Sequence, residues 1–374
     1  MVLGRAKLLR KWEASFETDG SQKRGLAFVV YSRCPATNDS NRYTSKQNPM
    51  KLISMFFCVI CLLIGIAPHT VQAQSQGTAS FTRTTLSGIG PDKSVSRRDP
   101  SDVIKVGGLY YVWYCRGLVK TGYNATVWYA TSPDGMSWTE MGEAVGKGEA
   151  GAWDEASVFT PNVLVAEDKY WLFYTAISRS PKVKPDSKIG IAVSDSPDGP
   201  WQKLAANTVL RNSDNESDFD SHLVDDSCLM VRDGKYWCYY KGRQLGKGAA
   251  ETKMGLAIAE SPGGPYIRHP KSPVIPGNHE VVVWPQGPGV VAMVDELGPK
   301  EIANSILYAE DGIHFTKTHD VIDRPKAAGT YRPEAFTDSN QGEAPTWGVE
   351  MDPAGKLFCI QRFVIDWERS NENE

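Results

Sequence analysis

An all-β chain folded as a five-bladed β-propeller is what this sequence predicts, and three observations predict it. A phrase recurs: Ala130-Thr-Ser-Pro-Asp-Gly-Met-Ser-Trp138 returns as Ala192-Val-Ser-Asp-Ser-Pro-Asp-Gly-Pro-Trp201 and as Ala257-Ile-Ala-Glu-Ser-Pro-Gly-Gly-Pro-Tyr266, and more faintly as Tyr308-Ala-Glu-Asp-Gly-Ile-His-Phe315. The first three copies stand about 65 residues apart, a period that marks a repeat architecture. Each copy follows an aromatic, β-branched run, and long amphipathic helical patterns are nearly absent. A sheet unit repeated in this way buries its apolar face only by stacking on its neighbours, and four-stranded units that stack close into a propeller.

The strands follow in order. Val103–Val106 turns through Gly107-Gly108 into Leu109–Tyr114, and Asn162–Val165 turns through Ala-Glu-Asp into Lys169–Tyr174. Cys228–Val231 turns through Arg-Asp-Gly into Lys235–Tyr240. These are three hairpins of one design, with tight turns between aromatic-rich strands. A third strand follows each (Ala125–Tyr129, Lys188–Val193, Met254–Ile258), then the Ser-Pro turn, then a fourth strand carrying Trp138, Trp201 or Tyr266. Two weaker units complete the count: Val281–Trp284 with Val290–Val294 and Ser305–Tyr308, and Thr346–Val349 with Leu357–Phe363.

The 374 residues divide unevenly. Met50-Lys51, an apolar run over 52–67 and Val71-Gln72-Ala73 have the order of a secretory signal peptide, residues 50–73. The run falls short of the roughly 20 residues of a spanning helix. A signal peptide works from the N-terminus, so residues 1–49 read as a mis-annotated upstream segment, with translation starting at Met50. Residues 74–97 read as an N-terminal arm, with ring closure against the C-terminal strands as the alternative. Residues 98–374 form the propeller. The protein is expected to be exported, periplasmic or secreted, with no membrane span after cleavage. A formal charge of −3 without a basic stripe argues against nucleic acid as a partner. Cys115, Cys228, Cys238 and Cys359 show no zinc spacing and read as buried thiols, one disulfide remaining open in an exported chain.

In a propeller the start of each inner strand faces one mouth of the central channel. Acids stand at these places: Asp99 in Arg97-Arg98-Asp99-Pro100-Ser101, Glu155 ahead of Val158-Phe-Thr-Pro161, Asp225-Asp226, His279-Glu280 before Val281, and Glu334 in Tyr331-Arg332-Pro333-Glu334. Converging carboxylates are what glycoside hydrolysis uses: one activates water, an acid protonates the leaving oxygen, and neighbours tune both. His279 beside Glu280 is expected to have a raised pKa and to serve as proton donor. Trp128, Trp153, Trp284 and Trp347 are candidate stacking platforms for sugar rings. The acids leave room for a divalent cation in the channel, but no ligand spacing argues for one, and no cofactor is required.

The ordered set Arg97–Ser101, Tyr110–Tyr114, Thr126–Ser132, Trp153-Asp-Glu with Val158–Pro161, Asp225–Ser227, His279-Glu280 and Tyr331–Pro333 resembles glycoside hydrolase family 117, related to the five-bladed families 43, 32 and 68. The resemblance implies exo-acting, inverting cleavage of the α-1,3 bond of terminal 3,6-anhydro-L-galactose in neoagaro-oligosaccharides, and hence a part in agar degradation. It implies Asp99 as general base, Asp226 as the acid that tunes the site, His279 as general acid and Glu280 as its positioning partner. It assigns substrate binding to Glu155, with Arg98, Trp128, Arg332 and Glu334 as further candidates, and homodimers through swapped N-terminal arms. Two alternatives stay open: the same fold acting on another sugar (an α-L-arabinoside or a carrageenan-type unit), and a non-catalytic sugar-binding propeller.

Overall fold

The computed structural model describes residues 77–119, 124–178, 187–205, 208–333, 342–353 and 357–369. The expected signal peptide and upstream segment, and Glu334, lie outside the described residues. The strands fall into five blades. Blade one holds β2 (Val95–Arg98), β3 (Ile104–Val106), β4 (Leu109–Leu118), β5 (Ala125–Ser132) and β6 (Thr139–Val145). Blade two holds β7 (Ser157–Ala166), β8 (Lys169–Ile177), β9 (Lys188–Ser194), β10 (Gln202–Lys203) and β11 (Leu210–Arg211). Blade three is β12 (Leu223–Arg232), β13 (Lys235–Arg243), β14 (Lys253–Ala259) and β15 (Ile267–Arg268); blade four is β16 (Val282–Gln286), β17 (Gly289–Val294), β18 (Ser305–Ala309) and β19 (Thr316–Val321). Blade five is β20 (Gly329–Thr330), β21 (Trp347–Asp352), β22 (Cys359–Arg369) and, outermost, β1 (Gly77–Thr85).

Burial explains the sequence pattern of each strand. A central strand such as β13 is buried on both faces because a neighbouring blade packs on each, so it reads as a continuous aromatic run, Tyr236-Trp-Cys-Tyr-Tyr240. The outer strand β6 alternates exposed and half-buried residues, Thr-Glu-Met-Gly-Glu-Ala-Val, because only one neighbour covers it. Apolar clusters fill each gap between adjacent blades. Trp113 and Tyr129 of blade one meet Leu172 and Tyr174 of blade two; Phe173 and Ile191 meet Leu229 and Tyr240; Tyr239 and Leu256 meet Val283 and Val290; Trp284 and Met293 meet Phe363 and Ile365; and Val349 and Ile360 meet Val112 and Tyr114. The fifth interface returns to blade one, so the ring closes.

Residues 77–97 do not stand off as an arm. β1 runs antiparallel to β22 from Gly77 opposite Arg369 to Thr85 opposite Gln361, and parallel to the outer strand of blade four at Gly77–Ala79. The N-terminal strand thus completes the C-terminal blade, and Val95–Arg98 already form the inner strand of blade one. An outer strand of Thr, Ser and Arg finds its backbone partners here, where as a free arm it would have none. Blades five and one also bond directly: Val103 N–H donates to Thr330 O and Arg332 N–H to Val103 O, at 2.9 and 3.0 Å. Gly329 permits that approach, since a Cβ there would fall 1.8 Å from the Ser101 carbonyl oxygen. Deleting residues 77–85 is expected to lower Tm by roughly 10 °C or more, read by thermal unfolding, because it unseals the last blade.

The recurring turn phrase is scaffold. Asp134 Oδ1 accepts the amides of Met136 and Ser137 at 2.8 and 2.7 Å, and these bonds hold its pKa down to about 2. Asp311 repeats the arrangement with Ile313 and His314. Gly135 adopts φ 71°, which favours glycine. Among the described residues Cys115, Cys228, Cys238 and Cys359 are free and buried. No helix among the described residues is long and apolar enough to cross a membrane.

Candidate active site

Three inner strands share one irregularity, and it builds the site. In blade one Arg98 pairs with Cys115 and Ser101 N–H donates to Trp113 O, so the register passes over Asp99-Pro100. In blade two the ladder passes from Phe159–Thr175 to Asn162–Phe173, over Thr160-Pro161. In blade three it passes from Asp225–Lys241 to Cys228–Tyr239, over Asp226-Ser227. The first residue of each bulge has a left-handed backbone, with φ 47° at Asp99, 43° at Thr160 and 47° at Asp226. Such a conformation costs about 1–3 kcal/mol at a non-glycine residue and is kept where a bulge re-aims a side chain. Asp99 and Asp226 are thus equivalent by backbone geometry, as the sequence repeat indicated. The blade-two counterpart is Thr160, not Glu155.

These residues line a cavity of about 220 Å³. Blade one supplies Arg98, Asp99 and Pro100; blade two Thr160, Pro161 and Asn162; blade three Asp226 and Ser227 with Lys241. Blade four supplies His279, Glu280, Val281 and Val282, and blade five Ala327 and Ala328 with Met351. Asp99, Asp226, His279, Glu280 and Arg98 therefore come together. No Trp, Tyr or Phe is among the described lining residues.

The other candidates stand elsewhere. Glu155 is outside the lining, and its Oε2 accepts the Gly151 amide at 2.6 Å. The Trp128 ring lies under the Arg116 guanidinium at 3.9 Å, and its indole donates to Thr126 Oγ1 at 3.0 Å. Trp153 stacks on Tyr174, Trp284 is buried against Trp367, and Trp347 stacks on Tyr331. Arg332 is buried: its Nη1 donates to Asp102 Oδ2 at 2.9 Å and to Leu229 O at 2.7 Å. Asp102 also accepts from Thr330 N and Oγ1 at 2.8 and 3.0 Å and from Asn162 Nδ2 at 3.4 Å. Arg332 follows the inner strand of blade five, whereas the residues that face the mouth, Ala327 and Ala328, precede it. Arg332 and Asp102 so tie blades one, two, three and five together one layer further along the channel. The surroundings of Asp102 are hydrogen-bond donors, which fit a carboxylate and not a metal ligand, and no metal-binding cluster of His, Cys, Asp or Glu is found among the described residues.

Electrostatics separates the acids. Burial pushes the Asp99 carboxyl up, against the opposing pull of Arg98 at 3.9 Å and of Lys241. Burial also pushes Asp226 well up, with the negative Asp225 adding to it and the Lys241 ammonium, which donates to Asp226 Oδ2, pulling the other way. Asp225 goes the opposite way. Burial works to raise it, but Lys241 and the hydroxyls of Thr175 and Thr160, 2.7 and 2.8 Å from its Oδ1, hold it below the usual carboxylate range. Like charges packed this closely divide into a harder and an easier carboxyl to ionise.

His279 and Glu280 do not work as a contact pair. Their amides both donate to Asp295 Oδ2, at 2.7 and 3.0 Å, which pins the chain between them. Glu280 Oε2 accepts from Arg324 Nη2 at 2.6 Å and Ala327 N at 2.7 Å. These partners outweigh burial and keep Glu280 below the usual range. The His279 ring turns instead to Thr252, its Nδ1 3.4 Å from Oγ1. Thr252 donates its one hydroxyl proton to Ala249 O at 2.7 Å, so Nδ1 carries the ring proton and Nε2 is left to gain or lose one. Burial and then Lys241 lower the His279 pKa, opposite to the rise expected from Glu280, whose attraction is the weaker influence. Sequence reasoning also missed Lys241, Thr160, Arg324 and Asp295. The repeat register alone could have found Thr160, as the residue aligned with Asp99 and Asp226.

The profile of glycosyl hydrolases family 43 matches residues 91–228, the segment that runs from blade one through Asp226. A solved structure of a family 117 glycoside hydrolase produced by the marine bacterium Zobellia galactanivorans is 30% identical with a TM-score of 0.70, the match covering 80% of this chain and 94% of that one. The chain belongs to glycoside hydrolase family 117. This family 117 protein also shares its fold with sucrose-6-phosphate hydrolase from Lactobacillus gasseri, at 13% identity and a TM-score of 0.56 over 76% of this chain and 62% of that one. It likewise resembles an endo-arabinase from Bacteroides thetaiotaomicron, at 15% identity and a TM-score of 0.51 over 78% of this chain and 100% of that one. No curated protein sequence matches it. It is a glycoside hydrolase built on a β-propeller, and its substrate is a carbohydrate.

Proposed function

We propose that the protein is an exported, exo-acting, inverting hydrolase that releases terminal 3,6-anhydro-L-galactose from neoagaro-oligosaccharides. One observation carries the reading: a single small cavity holds two equivalent strained aspartates and a histidine with a protonatable Nε2. A volume below the roughly 300–1,000 Å³ of drug-sized ligand pockets favours one terminal sugar over a threaded chain. Val281, Val282, Ala327, Ala328 and Met351 give one part of an otherwise polar wall an apolar surface that suits the bridged face of an anhydro sugar. The apo-propeller expected of a mere sugar binder would have no use for several buried carboxylates, which cost free energy when desolvated.

In this reading Asp99 takes a proton from the attacking water as the anomeric carbon loses its bond to the leaving oxygen, and His279 Nε2 gives that oxygen its proton. Asp226 and Lys241 shape the field around both. The pH dependence follows. Activity needs Asp99 ionised, so it rises with pH through a value above the usual 3.8, and it needs His279 protonated, so it falls through a value below the usual 6.5. A bell on the acidic side of neutrality is expected in kcat/KM, and a plateau extending above pH 7 contradicts His279 as the acid. His279→Gln should lower kcat/KM by about 10²–10⁴-fold. Assay of neoagarobiose, neoagarotetraose, an α-L-arabinofuranoside and a carrageenan oligosaccharide side by side tests the substrate. Release of anhydro-galactose from the agar fragments alone is expected, and turnover of only another sugar overturns the assignment.

A further inference from the structure

In each of the three bulged blades, one residue of the second strand faces the first residue of the bulge. Cys115 Sγ lies 3.6 Å from Asp99 Oδ2, Thr175 Oγ1 lies 2.7 Å from Thr160 Oγ1, and Lys241 Nζ donates to Asp226 Oδ2. The place is the same and the chemistry differs: a thiol, a hydroxyl and an ammonium. Only the third brings charge. Lys241 is itself buried, lies 3.4 Å from Asp225 Oδ2 as well, and forms part of the cavity wall. A lysine stem loses conformational freedom and its ammonium loses water on burial, so its retention where its two counterparts are small and uncharged calls for a compensating role.

We propose that Lys241 is a positioning residue for the hydrolytic site: clamped between Asp225 and Asp226, its ammonium fixes the direction of Asp226 and supplies the positive charge against which Asp99 and His279 work. The proposal rests on the reading of Asp99 as base and His279 as acid. The charged groups that act on Lys241 or feel it are Asp225 and Asp226 from its own blade, Asp99 from blade one, and His279 and Glu280 from blade four; Arg98 shares the cavity wall, and the hydroxyls of Thr160 and Thr175 from blade two bond Asp225. Its charge favours the ionised form of every carboxyl among them and the neutral form of His279. Removing that charge therefore moves both limbs of the pH profile the same way, upward. A variant that merely loosened the fold would lower the bell without translating it.

The test compares wild type, Lys241→Met and Lys241→Arg in kcat/KM against pH, and in the infrared carbonyl band of protonated carboxyls titrated without substrate. For Lys241→Met both limbs and the carbonyl titration should rise by about one pH unit or more, the scale of a lost neighbouring charge, whereas Lys241→Arg should hold near the wild-type positions. Unmoved limbs and an unmoved carbonyl titration in folded Lys241→Met overturn the proposal. Lys241→Gln, which keeps a donor to Asp226, carries the same expectations if the Met variant does not fold. If wild type hydrolyses none of the glycosides, the proposed function fails, and the carbonyl titration still decides whether Lys241 sets the charge of the cluster.

Discussion

Asp99→Asn should reduce kcat/KM by about 10²–10⁴-fold while leaving the fold intact, because the amide fills the same space but cannot accept the proton of an attacking water. The sign of the stability change separates a functional carboxylate from a structural one. Asp99 is buried at a strained backbone position, and its folded-state pKa is raised above the unfolded value. Its ionised form therefore disfavours the folded state at neutral pH: for this group, stability is gained as pH falls through the raised pKa. Asn removes that penalty, so Tm at pH 7 should stay level or rise while activity collapses. The same holds for Asp226→Asn, with the difference that Lys241 then keeps Asp225 as its contact ion pair. A joint loss of Tm and activity would mean that Asp99 holds the blade together and that the strain at φ 47° has another cause.

Arg332→Ala should show the opposite pairing. Its guanidinium is buried against Asp102 and the Leu229 carbonyl, and truncation leaves the Asp102 carboxylate with its charge uncompensated inside the channel. Breaking a buried ion pair from one side costs about 3–5 kcal/mol, or roughly 10 °C or more in Tm. Any fall in activity should track the folded fraction, with KM unchanged for the molecules that remain folded. A raised KM at an unchanged Tm would return Arg332 to the substrate-binding role that its sequence position suggested.

How much could be read from the sequence depends on how local each feature is. The hairpins were legible because each is made by its own turn and its own aromatic strands, as in Lys235–Tyr240 after Arg232-Asp-Gly. The ring closure was legible only as the alternative to a free arm. β1 is a polar outer strand whose partner lies at the other end of the chain, Ala79 opposite Trp367, and nothing local in Gly-Thr-Ala-Ser-Phe-Thr says so. In the site, Asp99 and Asp226 were legible through the repeat, because the repeat fixes register and register fixes the bulge. In blade two the sequence pointed to an acid, Glu155, which stands outside the cavity lining, and Thr160 passed unnoticed because it is not one. Arg332 misled because β20 is only two residues long, too short to show from sequence on which side of it the channel mouth lies. His279 and Glu280 adjoin in sequence, yet they lie in a bend ahead of β16 in which both amides are spent on Asp295 Oδ2 and the two side chains part. The pair therefore divides, His279 toward Thr252 and Glu280 toward Arg324.

The most direct test of Asp99 and His279 as a hydrolytic pair is proton NMR of the wild-type protein and of Asp99→Asn acting on neoagarobiose near pH 5.5. Wild type is expected to release 3,6-anhydro-L-galactose first in the anomeric form opposite to that of the cleaved bond, and Asp99→Asn to release it at least about 100-fold more slowly. Release in the retained form, or release that Asp99→Asn leaves unchanged, would contradict it.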